Sequence, residues 1–353
     1  MSWDGISRAE LGLATRNAGM PLEALQWPVT PLGLHYLLIH YDIPAVDPNA
    51  FRLLIDGTVG TPRSLSLAEL KLRPEVRMPI TFECAGNGRA LMEPRPVSQP
   101  WLVEAVGTGE WTGTPLRPLL EEAGLEPGTA EVAFTGLDRG VEGGVEQDYA
   151  RSLPVADALG DDVLLAWGLN GGPLPPQHGA PLRLVVPGWY GMTNVKWLTR
   201  ITAMAEPFTG YQNATGYRLY GEDGVPGEPV TRMRPRSLLR PPGIPDFMTR
   251  ARRLAAGPVL LEGRAWSGTG AVTRVEVSTD GGASWADAKL GEAGGRWAWR
   301  GWSFEWAPGP GDYELCSRAT DETGATQGGE PDWNAKGYAN NAVQRVPVTV
   351  VQP

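Results

Sequence analysis

The sequence predicts an α+β protein of two domains, a mixed α/β domain followed by an all-β sandwich, on three observations. The chain has 353 residues, against roughly 150 for a typical domain. Its 46 glycines and 33 prolines favour many turns and short strands over long helices, while 42% hydrophobic residues keep it globular. Near residue 230 the pattern changes from helices and strands in alternation to strands alone, across the basic, Pro-rich passage RMRPRSLLRPPGIP. The expected division is therefore 1–230 and 231–353.

The elements follow in order. The first 25 residues mix charge with small residues and read as a surface arm. FRLLIDG, starting at Phe51, predicts a short strand. After a Pro-marked turn comes a brief helix around Ser66 to Leu70, with Ser66 as cap and Glu69 three residues on. MPITFEC predicts a strand that runs into the small-residue loop 85–89, and residues 115–123 and 154–159 predict short helices. Val163 to Trp167, Pro181 to Pro187 and Val195 to Ile201 are strand-like. In the second half VLLEGRAW, VTRVEVST, RWAWRGWSFEW, DYELCSRA and QRVPVTVV have sandwich spacing, with turns at Asp280-Gly281 and Glu322 to Gly324. The tryptophans of RWAWRGWSFEW alternate with other residues, which predicts one aromatic face serving as core and interface.

Composition excludes several function classes. A net charge of −9 disfavours a protein that grips polyanionic nucleic acid. Two cysteines, Cys84 and Cys316, are too few for a four-cysteine zinc site, an iron–sulfur cluster or a disulfide framework. Apolar stretches are broken by Pro, Gly or charge before membrane-spanning length, so no membrane association is expected. The start has neither an apolar signal core nor an arginine pair, which makes a cytoplasmic location the expectation, or a periplasmic one if an export signal has been removed. P-loop, GxSxG, HExxH and CxxCH motifs are missing, and Gly107, Gly109 and Gly113 have the wrong spacing for a dinucleotide loop.

Two segments carry chemistry. In TFECAGNGR, residues 81–89, a strand delivers Cys84 to a loop whose small residues let a bulky group approach the backbone, and Arg89 closes the loop with a positive charge. Cys84 is then either an inert cysteine beside a turn or a metal-bound or nucleophilic thiolate with a lowered pKa. In HGAPLRLVVPGWYGMTNVKWLTRI, residues 178–201, His178, Arg183 and Lys196 stand in apolar surroundings. Either they lie on an exposed edge, or they are buried and need an anion such as phosphate. A third segment, TPLGLHYLLIHYDIP, sets His35 and His40 five residues apart in an aromatic run, one of them a core histidine. Cys316 lies mid-strand and reads as structural.

At these residues the sequence resembles the sulfite oxidase family of molybdopterin enzymes, from about Thr30 to the end. ECAGN is similar to the family's molybdenum-ligand loop, HGxPLRxxxPG and VKWL to its pterin-binding strands, and the second half to its Ig-like dimerisation domain. The resemblance implies molybdenum and molybdopterin as cofactor, with Cys84 as the metal ligand. It implies that His40, Asp138, His178, Arg183 and Lys196 hold the pterin or its phosphate, and that Arg89, Trp111 and Tyr217 border the substrate. Two departures stand out. Leu38-Ile39 replace the Arg-Asn that precedes the histidine in sulfite oxidisers, and Lys336 in WNAKG replaces a substrate arginine, keeping charge but losing the bidentate fork. PLRLVVPGWYG looks more like the sulfane dehydrogenase branch. The implied function is oxidation of sulfite or a related sulfur oxyanion by oxo transfer in a homodimer. With no haem motif, electrons pass to a separate acceptor such as a cytochrome. The alternatives are a sulfane dehydrogenase-like subunit, reduction of an S- or N-oxide by the same cofactor, and a non-catalytic β-sandwich binding module. Protein expressed with molybdate is expected to carry molybdenum and pterin by elemental analysis and fluorescence; a protein free of both is the outcome the binding module predicts.

Overall fold

The protein is described from a computed structural model that covers residues 5–352. Its first half holds two sheets. The larger orders Arg63–Ser66, Arg52–Gly57, Leu198–Met204, Glu131–Glu142 and Val145–Pro154 side by side, with only the Arg52–Gly57 and Leu198–Met204 pair parallel. The smaller is built from Val76–Glu83, Val106–Pro115 and Leu164–Leu169, to which Gly172–Pro173 and Arg183–Val185 add. Short helices link the strands. The helix Leu67–Lys71 is started by Ser66, whose hydroxyl accepts from the Glu69 N–H while the Glu69 carboxylate accepts from the Ser66 N–H, the reciprocal cap expected from the sequence. Arg117–Ala123 stops at Gly124, whose φ of 71° a side chain would resist. One apolar core joins the larger sheet to these helices through Leu53, Ile55, Leu119, Phe134, Leu198 and Ile201, all under 2% exposed.

The second half is a sandwich. One sheet orders Arg236–Leu239, Val259–Trp266, Arg300–Trp306 and Lys289–Leu290; the other holds Ile244–Pro245, Arg252–Ala255, Val346–Val351, Gly311–Asp321, Val272–Ser278 and Ala286–Asp287. Alternate residues of facing strands, among them Leu261, Val275, Val277, Trp302, Leu315 and Val348, fill the space between. Cys316 is fully buried mid-strand, as a structural cysteine would be.

Two sequence expectations are corrected. The first 25 residues are not a surface arm over the described part: Arg8–Arg16 is a helix capped by Ser7 and Glu10, and Met20, Ala24 and Leu25 are buried in a core shared with Trp266 and Trp299 of the sandwich. Local composition could not show this, because the apolar partners come from the far end of the chain. Nor do all four tryptophans share one strand face. The strand begins at Arg300, while Trp297 donates its indole N–H to Asp162 and Trp299 donates to the Pro28 carbonyl at 2.8 Å, both across to the first half. Trp302 enters the sandwich core, and Phe304 and Trp306, at the same period of two along the strand Arg300–Trp306, pack against it as the sequence predicts.

The halves are locked at Glu83, the last residue of the strand Val76–Glu83. Its carboxylate pairs with Arg236 at 2.8 Å and accepts from the Trp266 indole at 2.8 Å, all of them buried. The Asn87 amide donates to the same carboxylate, and the Asn87 oxygen accepts from the Ala105 N–H. Arg236 also donates to the Asn340 carbonyl at 2.7 Å, while the Asn340 amide donates to Gly88. Removing one member of such a pair strands a charge in a desolvated place, which costs about 3–5 kcal/mol, whereas replacing both by apolar groups is often neutral. Glu83→Gln is therefore expected to lower the urea midpoint strongly, and the double variant Glu83→Leu/Arg236→Met to unfold at a higher urea concentration than the single one. Tryptophan fluorescence during equilibrium unfolding checks the order.

Candidate active site at the Cys84 cleft

The strand Val76–Glu83 ends at Cys84, whose N–H donates to Ala105 and whose carbonyl accepts from Asn87, so the loop turns back on itself within four residues. A side chain at Gly88 (φ 90°) would collide with Asn340, and one at Gly86 with the Arg89 guanidinium at 2.6 Å. The small residues of the loop are thus required by packing against Arg89 and the sandwich.

Cys84 lies in the wall of a cleft. Seven of the residues singled out in the sequence line it: His40, Cys84, Asp138, His178, Arg183, Lys196 and Tyr217. Their sources are scattered over the first domain. Asp138 sits where the pairing of Glu131–Glu142 with Val145–Pro154 shifts register between Thr135 and Arg139, an irregularity that re-aims its side chain. Gly179 (φ 105°) allows the turn after His178, since a side chain there would meet Lys196 at 2.8 Å.

The electrostatics follow from burial. His35 and His178 are pushed down to about 4 and about 2 by desolvation and by their cationic neighbours, so both rings are neutral at physiological pH, each with one donor and one acceptor nitrogen. Desolvation lowers Arg183 to about 10 and Lys196 to about 7, and raises Asp138 to about 6 against the pull of Lys196 and His40. Arg183 is not on an exposed edge. It is 5% exposed, donates to the His178 and Asn194 carbonyls at 2.8 and 2.9 Å, and lies over the Phe82 and Trp111 rings. Lys196 donates to the Leu38 and Gln177 carbonyls at 2.7 and 3.2 Å. His40 pairs with Glu142 at 2.8 Å, and that contact with the Gln212 and Tyr41 hydrogen bonds holds the Glu142 carboxyl at about 2.

The thiol differs from the sequence expectation. Burial pushes Cys84 up, and the Arg89 charge, the Gly86 N–H and the Trp101 indole only partly offset it, so the surroundings alone do not make a thiolate. A bound metal ion would.

Three of the expected substrate-side residues stand away from the cleft lining. Trp111 is fully buried, stacked on Phe82 at 4.7 Å beneath Arg183, and acts as a platform for that arginine. Its strand, Val106–Pro115, is covered on both faces, which local alternation cannot reveal. The Arg89 guanidinium lies behind the Cys84 loop, donating to the Lys336 and Gln99 carbonyls at 2.7 and 3.1 Å and stacking on Tyr338. The Lys336 ammonium donates to the Thr215 and Gly216 carbonyls at 2.7 and 3.0 Å. The cleft also recruits residues that sequence reasoning left out, Tyr36, Phe82, Tyr149, Met192 and Asn194, and it takes in His35, which is both core and lining. For Tyr36 and His35 the aromatic density of residues 31–45 is the sequence signal; the others come from distant segments.

A single thiolate cannot hold a metal ion, and among the described residues no cluster of three or more His, Cys, Asp or Glu offers a metal site. Further ligands must come from a bound organic group. The cleft suits a polar heterocycle carrying an anion: two neutral imidazoles and two cations line it, and the buried His35 Nε2 and Asp138 Oδ1 have no partner within the protein.

Known proteins agree with this reading. Residues 40–212 match the family model described as "Oxidoreductase molybdopterin binding domain", and residues 245–351 that of "Mo-co oxidoreductase dimerisation domain". Sulfite oxidase of Gallus gallus is 35% identical over 349 residues, covering 93% of this chain and 75% of the relative. The mitochondrial sulfite oxidase of Homo sapiens is 36% identical, but there the chain spans 64% of the relative's length. The solved structure of a sulfane dehydrogenase from Paracoccus pantotrophus superposes with a TM-score of 0.82 at 27% identity, covering 100% of this chain and 90% of that one. No helix among the described residues is long and apolar enough to cross a membrane.

Lys196 gives a test of the cleft's charge balance. In the cofactor-free protein its proton leaves near pH 7, whereas the unfolded chain keeps it to 10.5. Between these values the unfolded state binds more protons, so stability rises with pH. The wild type is expected to gain on Lys196→Met between about pH 6 and about pH 9 in urea midpoints, and the variant to retain less pterin; a wild type that loses ground to the variant as pH rises contradicts the assignment.

Proposed function

This chain belongs to the sulfite oxidase family of molybdopterin oxidoreductases, and on that premise we propose that it oxidises sulfite or a closely related sulfur oxyanion and passes the electrons to a separate one-electron acceptor such as a cytochrome. The observation that carries the proposal is the cleft itself, where Cys84, Tyr217 and a row of unsatisfied or cationic polar groups converge. The overall conversion takes sulfite and water to sulfate, two protons and two electrons. Molybdenum bound by the pterin and Cys84 supplies two-electron, oxygen-atom-transfer chemistry.

The protein's part is binding and orientation. His178 and His35 would offer neutral ring nitrogens to the pterin, Arg183 and Lys196 would bring positive charge to its phosphate, and Asp138 would stand beside them in the cleft wall. The Glu142 carboxylate accepts from His40 Nε2 and fixes that ring in the cleft wall. Tyr217 lines the cleft with Cys84 and would border the substrate there. Arg89 contributes charge and holds the loop without touching the cleft wall. The dimerisation domain is proposed to pair two copies of the chain.

A second reading, reduction of a neutral S- or N-oxide, is favoured by the apolar Leu38 in the cleft wall. Steady-state assays decide. Molybdate-replete protein is expected to reduce ferricyanide in a sulfite-dependent reaction, and Cys84→Ser to keep pterin fluorescence while turnover falls to background. Turnover with a sulfoxide and a reduced dye, and none with sulfite, would transfer the assignment to the second reading.

A further inference from the structure

Five arginines are buried among the described residues, and four have evident partners. Arg236 meets Glu83 and Arg252 meets Glu23, while Arg183 and Arg89 distribute their donors over two or more backbone carbonyls. Arg151 is different. Only 2% exposed, it donates to one group, the Gln212 carbonyl at 2.5 Å, and its Nε meets none. A desolvated cation with so few partners is unfavourable for a fold unless a counter-charge comes with a ligand.

Its position indicates where that ligand lies. Arg151 belongs to the strand Val145–Pro154, and its guanidinium carbon is 5.4 Å from the centroid of the Tyr217 ring. Tyr217 is a wall residue of the cleft beside Cys84, and Tyr149, close to both Arg151 and Tyr217, donates its phenol to the Met192 carbonyl. Other candidates for attracting an anion to this end are already engaged: Arg89 and Lys336 are held by carbonyls, and Leu38 is apolar. A cation behind the ring polarises it and strengthens the phenol O–H as a donor on the far side. Because the intervening medium is protein, its charge reaches the cleft with little screening.

We infer that Arg151 is the charge that draws an anionic substrate to the Cys84 end of the cleft, acting through Tyr217, as a positioning residue. This rests on the oxyanion reading above and deepens it by naming the source of anion selectivity. At an effective dielectric of about 20 and a separation of roughly 9 Å, one unit charge changes anion binding by on the order of tenfold.

The test uses cofactor-loaded wild type, Arg151→Met and Arg151→Lys, with pterin content measured for each. Calorimetric titration with sulfate is expected to show binding to the wild type, weakening by on the order of tenfold in Arg151→Met, and recovery of most of the loss in Arg151→Lys. The sulfite KM should move in parallel, with a smaller change in kcat. Unchanged sulfate binding in Arg151→Met, a loss that lysine does not repair, or a wild type that binds no sulfate would overturn the inference and leave Arg151 as an anchor of the 212–216 turn. If the wild type binds sulfate yet oxidises no sulfite, the oxidation reading fails, while the calorimetric comparison still decides the role of Arg151.

Discussion

The buried pair of Glu83 and Arg236 is the constraint from which the rest of the molecule follows. It sits one residue before Cys84, is completed by the Trp266 indole and the Asn87 amide, and joins the first domain's smaller sheet to the sandwich. A carboxylate that buried is tolerable only with all its partners in place, so the sandwich must be docked for the Cys84 loop to have its shape. The second domain is therefore a structural element of the cleft. Residues 333–340 reinforce this: the Lys336 carbonyl and Tyr338 ring hold Arg89, a side chain at Gly337 would strike Arg89 at 2.6 Å, and Asn340 closes the turn at Gly88.

The cleft is built for a partner it does not contain within its own chain. Desolvation holds two histidines neutral, lowers Lys196 and Arg183, and raises Asp138, each in the direction that minimises buried charge. A bound anion would favour the charged forms of those cations. The same physics raises the Cys84 thiol.

Much of the fold was legible in the chain because its strands alternate and its turns carry glycine and proline. The Ser66–Glu69 cap, the short helices near 117 and 155 and the sandwich strands lie where local pattern put them. The Cys84 loop and the 178–201 segment were legible as sites because cations and a thiol in apolar surroundings are locally anomalous. Trp111 was misplaced because a strand covered on both faces looks the same as one with an exposed edge. The N-terminal segment was misplaced because its apolar partners, Trp266 and Trp299, lie more than two hundred residues away.

By itself, the sequence determined the alternation that makes strands, the composition that excludes rival metal and nucleotide chemistries, and the presence of one cysteine in a small-residue loop, all properties of neighbours along the chain. Only the tertiary structure decided which polar groups would be left without partners. The register shift that aims Asp138, the burial of Arg183 over two aromatic rings, the diversion of Arg89 and Lys336 onto carbonyls and the isolation of Arg151 behind Tyr217 depend on surfaces brought together from distant segments. Charge and hydrogen-bond satisfaction are set by what lies within a few ångströms in space, and that distance is not encoded by adjacency in the chain.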